Sequence, residues 1–162
     1  MPTTEKVQEI ASKMCGNTLV TKQSGDQGFP CSAVYIVEKI SIKKELYLSI
    51  TLDRAAGKPV FVYSPAGGMS IEDVAHDQPD KIHKLYVDIN QGLQDETLKK
   101  AAKDLGLEGQ TDQVVTTFKQ VYECFLKNDC NLIEINPLVL TEDGTVMAAD
   151  SKITIDDNAA FR

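Results

Sequence analysis

The sequence predicts an α+β fold in which a mostly antiparallel sheet packs against helices. Apolar residues recur at spacings of three and four over Thr111–Lys127, the pattern of an amphipathic helix. Runs rich in Val, Ile, Leu and Tyr at residues 33–39, 45–52 and 59–63 read as strands. Near the end of the chain, residues 132–140 and 145–155 flank Glu142-Asp143-Gly144 as a hairpin.

In chain order, Val7, Ile10, Ala11 and Met14 give a short helix over residues 5–14, with Gly16 where a helix stops. Residues 21–30 hold Gly25, Gly28 and Pro30 among polar neighbours and read as a loop. The three strands follow, the last after an Ala-Gly-Lys turn. Residues 64–69, Ser-Pro-Ala-Gly-Gly-Met, read as a glycine turn, and Ser70 caps a short helix over residues 70–75. Residues 84–89 add a strand, residues 96–105 a helix ending at Gly106, and then come the long helix and the hairpin. Val114, Val115, Phe118, Val121, Tyr122, Phe125 and Leu126 form the stripe expected to face the core.

Composition bounds the function. With 162 residues, 42% hydrophobic and 25% charged, the chain suits one compact domain. Its apolar runs are too short to cross a bilayer, so a soluble protein is expected, and the amino-terminal end reads as neither a secretory signal nor a transit peptide. A net charge of −7, with no basic block beyond Lys43-Lys44 and Lys99-Lys100, argues against a nucleic-acid surface. Cys15, Cys31, Cys124 and Cys130 form no CxxC pair and have no histidine at zinc-ligand spacing, so they are expected as reduced thiols. His76 and His83 lie in polar, helix-like surroundings without a nucleophile nearby and are not expected to be catalytic.

The hairpin carries the chemistry. A three-residue loop with Gly144 in the left-handed conformation sets Asn136 opposite Asp150 and Glu134 opposite Lys152, all on one face. Ile133, Ile135, Pro137, Ala149 and Ile153 fall on the other, packing face. A two-residue turn at Asp143-Gly144 would shift this register by one. Hard oxygens so arranged suit Mg²⁺, which takes one or two protein ligands and completes its shell with water and phosphate. Asn136 and Asp150 are the candidate ligands, Glu134 a candidate for steering phosphate chemistry, and Lys152 its counter-charge. A solvated strand face with a cross-strand Glu134–Lys152 pair is the alternative.

Residues 132–139 (Leu-Ile-Glu-Ile-Asn-Pro-Leu-Val), their spacing to Ala149-Asp-Ser-Lys-Ile and the tail Asp156-Asp-Asn-Ala-Ala-Phe-Arg together resemble the β subunit of succinyl-CoA synthetase. Val37-Glu-Lys-Ile-Ser-Ile-Lys-Lys-Glu-Leu-Tyr-Leu, Asp53-Arg, Ser64-Pro-Ala-Gly-Gly-Met-Ser-Ile-Glu and Ile82-His-Lys resemble that family in the same order. The resemblance implies an ATP-grasp fold, in which two α+β subdomains grip ATP or GTP between their sheets while Mg²⁺ bridges its phosphates. Residues 1–20 would be a remnant of the first subdomain, 21–32 a linker, and 33–162 the second subdomain with the metal-binding hairpin at 132–155. Asn136 and Asp150 match the family's metal ligands, Glu38 and the backbone to Ile40 its adenine edge, and Glu45 its ribose-binding acid.

The implied activity is that of an acid–thiol ligase, succinate–CoA ligase. It couples the interconversion of succinyl-CoA with succinate and CoA to phosphorylation of ADP or GDP, by way of a phosphohistidine on a partner α subunit in a heterodimer or heterotetramer. The family's phosphate-gripping lysine and glycine-rich loop and its CoA-ligase domain have no counterpart in these residues, so the chain alone is expected to be inactive. A mitochondrial matrix setting is expected, with a hydrogenosome or a bacterial cytoplasm as alternatives. Two other readings stand beside this one: the corresponding part of a malate–CoA ligase or ATP-citrate lyase, and a stand-alone interaction module.

Overall fold

The computed structural model describes residues 3–21 and 24–161. Met1 and Pro2, Lys22 and Gln23 of the expected linker, and Arg162 of the quoted tail lie outside them. The chain divides into two compact units, Met1–Lys39 and Ile40–Arg162.

In the first unit, helix α1 (Thr4–Met14) begins at Thr3, whose hydroxyl accepts from the Lys6 N–H, and it ends before Gly16 at φ +83°. A two-stranded antiparallel ribbon follows, β1 (Thr18–Leu19) with β2 (Phe29–Pro30), the second strand lying at the end of the stretch read as a loop. The strand expected over residues 33–39 is absent. Tyr35 is 93% exposed, and Ile36 and Val37 are also exposed. Strand propensity records how side chains fit a pleated, half-buried surface, and this run has no ladder to lie on.

The second unit is built on one antiparallel sheet. Its strands are β3 (Ile42–Asp53), β4 (Lys58–Ser64), β5 (His83–Tyr86), β6 (Cys130–Thr141), β7 (Val146–Ala148) and β8 (Ser151–Ile155). They lie in the order β5-β4-β3-β6-β7, and β8 also pairs with β6. The strands beginning at Ile42, Lys58 and His83 match the expected ones to within a few residues.

Helices α3 (Asp95–Asp104) and α4 (Thr111–Lys127) supply the side chains that bury one face of the sheet. Leu46, Leu48 and Ile50 of β3, Phe61 of β4, and Ile133, Ile135 and Leu138 of β6 pack there against Leu98, Val114 and Phe118. Phe118 is fully buried, with its ring centroid 4.9 Å from Phe61 and 5.6 Å from Tyr63. Val115 and Tyr122 are partly buried, but Leu126, expected in the stripe, is 50% exposed. At 3.6 residues per turn it lies about 110° from the centre of the buried stripe, further round the helix than any other member. The Lys44 ammonium donates to the Leu105 carbonyl at 2.7 Å, satisfying the end of α3 where Gly106 turns the chain at φ +66°.

The opposite face of the sheet is partly covered by the segment after β4, which contains α2 (Ile71–Asp77) with Val74 buried. Ser70 occupies the capping position as expected, yet its hydroxyl donates to the Glu72 carboxylate instead of accepting from the helix backbone. His83 lies on β5, not in helical surroundings. It stacks on Tyr63 with ring centroids 5.3 Å apart, and its Nδ1 is 3.9 Å from Asp104 Oδ2.

Candidate metal and nucleotide site

The hairpin has a three-residue loop. The Thr141 N–H donates to the Thr145 carbonyl at 2.9 Å, the Gly144 N–H donates to Thr141, and Gly144 has φ +86°. This excludes the alternative two-residue turn. The partners are Leu138↔Ala148, Val139↔Met147 and Leu140↔Val146 on one side, and Ile135↔Ser151 and Glu134↔Lys152 on the other. Asn136 and Asp150 lie between these groups in the same register, so they stand opposite each other. Pro137 accepts from the Ala149 N–H at 3.1 Å but has no N–H to return, and the ladder is interrupted between β7 and β8 at that point.

Ile133 and Ile135 pack into the core as expected. Ala149 and Ile153 do not: Ala149 is exposed and Ile153 is 49% exposed. β8 is an edge strand whose packing side meets an open groove of about 320 Å³ between α4 and the sheet.

On the other face, Glu134 is flanked by Ser49 on β3 and Lys152 on β8. Tyr47, two residues before Ser49, is 5% exposed. Burial pushes its phenol up, the charges of Glu134 and Glu72 push the same way, and a hydrogen bond with Ser49 opposes them. Tyr47, Ser49, Glu72 and Glu134 are therefore neighbours. The sequence reading missed Tyr47 and Ser49, although their alternation with buried Leu46, Leu48 and Ile50 was the available signal.

The glycine turn closes over this face. The Gly67 N–H donates to the Glu45 carbonyl at 3.2 Å, and a Cβ on Gly67 would lie 2.2 Å from the Leu46 carbonyl oxygen, so the turn rests directly on the backbone of β3. Gly68 has φ +72°, and its Cβ would meet Glu45 Oε2 at 1.9 Å. The Gly68 N–H donates to Asn136 Oδ1 at 2.9 Å, and Asn136 Nδ2 donates to the Met69 carbonyl at 2.9 Å. Glu45, the turn and Asn136 are thus brought together from three separate stretches of sequence. Glu38 is exposed within the first unit, in the stretch that forms no strand, and half-buried Ile40 opens the second.

The donor set fits a small hard cation. Asn136 Oδ1 accepts one hydrogen bond and keeps a lone pair; Asp150 Oδ1 accepts from the Ser151 N–H at 2.8 Å, leaving Oδ2. Reversing the Asn136 amide would set its NH₂ against an N–H and its oxygen against a carbonyl, so the network fixes its orientation. Among the described residues no three His, Cys, Asp or Glu side chains are grouped to hold a metal, and all four cysteines are free. Two protein oxygens at a partly exposed site suit Mg²⁺ bound with water and phosphate, not a closed cage.

The ATP-grasp domain family matches residues 1–140. The chain is 47% identical over 98% of its length to the mitochondrial β subunit of ADP-forming succinate–CoA ligase from Dictyostelium discoideum. It is 45% identical over 97% of its length to that subunit from Opitutus terrae. It spans 36% and 40% of those two relatives. Among solved structures, ATP citrate lyase from Methanothrix soehngenii matches 97% of this chain and 34% of its own with a TM-score of 0.65 at 17% identity, a likeness of fold.

Proposed function

Because this chain belongs to the ATP-grasp family and is similar to succinate–CoA ligase β subunits along nearly its whole length, we propose that it supplies the cation- and nucleotide-binding surface of such a ligase. The observation that carries this reading is the facing pair Asn136 and Asp150, beside Glu134 and Lys152, with the glycine turn bonded to Asn136. In this reading Asn136 Oδ1 and the Asp150 carboxylate hold Mg²⁺, which, when bound, offsets charge on the nucleotide phosphates. Glu134 orients the transferring phosphoryl group from the neighbouring row, and Lys152 balances its charge. Glu38 and the backbone to Ile40 read the base, and Glu45 accepts from the ribose hydroxyls.

The complete protein, in this proposal, interconverts succinyl-CoA with succinate and CoA, coupled to phosphorylation of ADP or GDP, with a partner α subunit carrying the phosphohistidine. A mitochondrial matrix setting accords with the Dictyostelium relative's name. Phosphoryl transfer depends on positioning and charge neutralisation by a whole cradle, so these residues alone are expected to show no turnover.

The test is a nuclear magnetic resonance titration of this chain with Mg²⁺ and ATP or GTP. Shifts gathered at residues 38–45 and 134–152, and lost from the hairpin in Asp150→Ala, are expected. No shift up to about millimolar nucleotide, a binding free energy of only about −4 kcal/mol, refutes the reading.

A further inference from the structure

The reading above gives the glycine turn a contact with Asn136 but no task of its own, yet its contacts are those of a part built to fit. Two glycines are needed for different reasons. Gly67 is where the chain lies against the Leu46 backbone, with no space for a Cβ. Gly68 is where the chain takes a positive φ beside the Glu45 carboxylate. The product of this geometry is one N–H and one carbonyl, on Gly68 and Met69, spaced to receive both ends of the Asn136 amide. A single surface asparagine would sample several rotamers, and one bonded at both ends is held in one. Groups that orient a metal ligand typically change metal affinity by about 10- to 100-fold when removed.

We infer that the Gly67-Gly68-Met69 turn is a positioning element of the cation site: it fixes Asn136 with the remaining lone pair of Oδ1 left for a cation, and so links order in the turn to binding at the hairpin. This rests on the reading of Asn136 and Asp150 as cation ligands. The linkage is reciprocal, because anything that binds the held form of Asn136 also stabilises the turn. Cation and nucleotide should therefore slow exchange of the Gly68 amide, although that amide belongs to a loop 68 residues away in sequence.

The experiment uses the whole chain with Mn²⁺ and ATP as probe, binding being followed by electron paramagnetic resonance and the turn by hydrogen exchange at Gly68 and at the Asn136 side-chain amide. Gly68→Ala should weaken Mn²⁺–ATP binding by about tenfold or more and speed exchange of the Asn136 amide. Asn136→Asp keeps an oxygen for the cation and for the Gly68 N–H but removes the donor to Met69, so the Gly68 amide should exchange faster even without metal. Asp150→Ala separates the two ideas. If it weakens binding while Gly68→Ala binds within about twofold of the parent, the positioning role is overturned and the cation site stands. If Asp150→Ala binds as the parent does, or the parent takes up no Mn²⁺–ATP, the cation site falls and the inference with it. Should Gly68→Ala not fold, unchanged Gly68 exchange in Asn136→Asp overturns the inference by itself.

Discussion

Replacing Gly67 with alanine probes how tightly the glycine turn is seated. The added Cβ would lie 2.2 Å from the Leu46 carbonyl oxygen, 2.3 Å from its carbon and 2.5 Å from its nitrogen. All three atoms are backbone of a central strand, so no side chain can swing aside. An ordinary contact needs about 3.5 Å or more, so the turn must withdraw by roughly 1 Å. That displacement breaks the Gly67 bond to Glu45, already 3.2 Å long, and pulls Gly68 and Met69 from Asn136. Three hydrogen bonds at about 1 kcal/mol each set an upper figure of about 3 kcal/mol. Water can reach this half-exposed turn and replace part of the loss, so about 1.5–3 kcal/mol is expected. Urea unfolding of parent and variant gives the difference, and the Asn136 side-chain amide signals show whether its two bonds are gone. A variant within about 0.5 kcal/mol of the parent, with those signals unmoved, would refute the argument.

Phe118→Ala removes a fully buried ring that packs on Phe61 and Tyr63, and should cost about 3–5 kcal/mol, read as a fall in the urea midpoint; a loss below about 1 kcal/mol would mean that α4 is not the main cover of the sheet. Burial, and then the charge of Asp104, holds the Tyr63 phenol above its ordinary value. Its contribution to stability is therefore complete below about pH 10, where the unfolded phenol titrates, and is lost as pH rises beyond that. Tyr63→Phe should be slightly less stable at neutral pH, having lost the 3.1 Å bond to Asp104, and should lose stability less steeply in alkali. Equal alkaline slopes for the two proteins would contradict this.

The features legible in the sequence were those set by local rules. Gly144 fixed the loop type and hence the register of the hairpin, and spacing alone delimited the helix Thr111–Lys127. What composition could not supply was a partner. Tyr35, Ile36 and Val37 have strand chemistry but no neighbouring strand to pair with. Ile153 has the alternation of a packed residue but sits on an edge strand. The bonds between Asn136 and the glycine turn join residues 67 and 68 positions apart, a distance no local pattern spans. The tandem glycine was visible, but only the approach of β3 reveals why both positions must be glycine.

Asparagine side chains age chemically, most often when the next residue's backbone nitrogen attacks the side-chain carbonyl and the amide is converted to an acid. At Asn136 that nucleophile is missing, because Pro137 carries no N–H. A separate reaction, attack by the side-chain nitrogen on the residue's own backbone carbonyl, expels the Pro137 nitrogen and cuts the chain; it requires Nδ2 to leave the Met69 oxygen it donates to. The position that can least tolerate becoming a carboxylate, since two acceptors would then face each other at Met69, is thereby shielded from that slow decay. The sequence Asn-Pro at the proposed cation site thus confers durability over the lifetime of the molecule as well as shape.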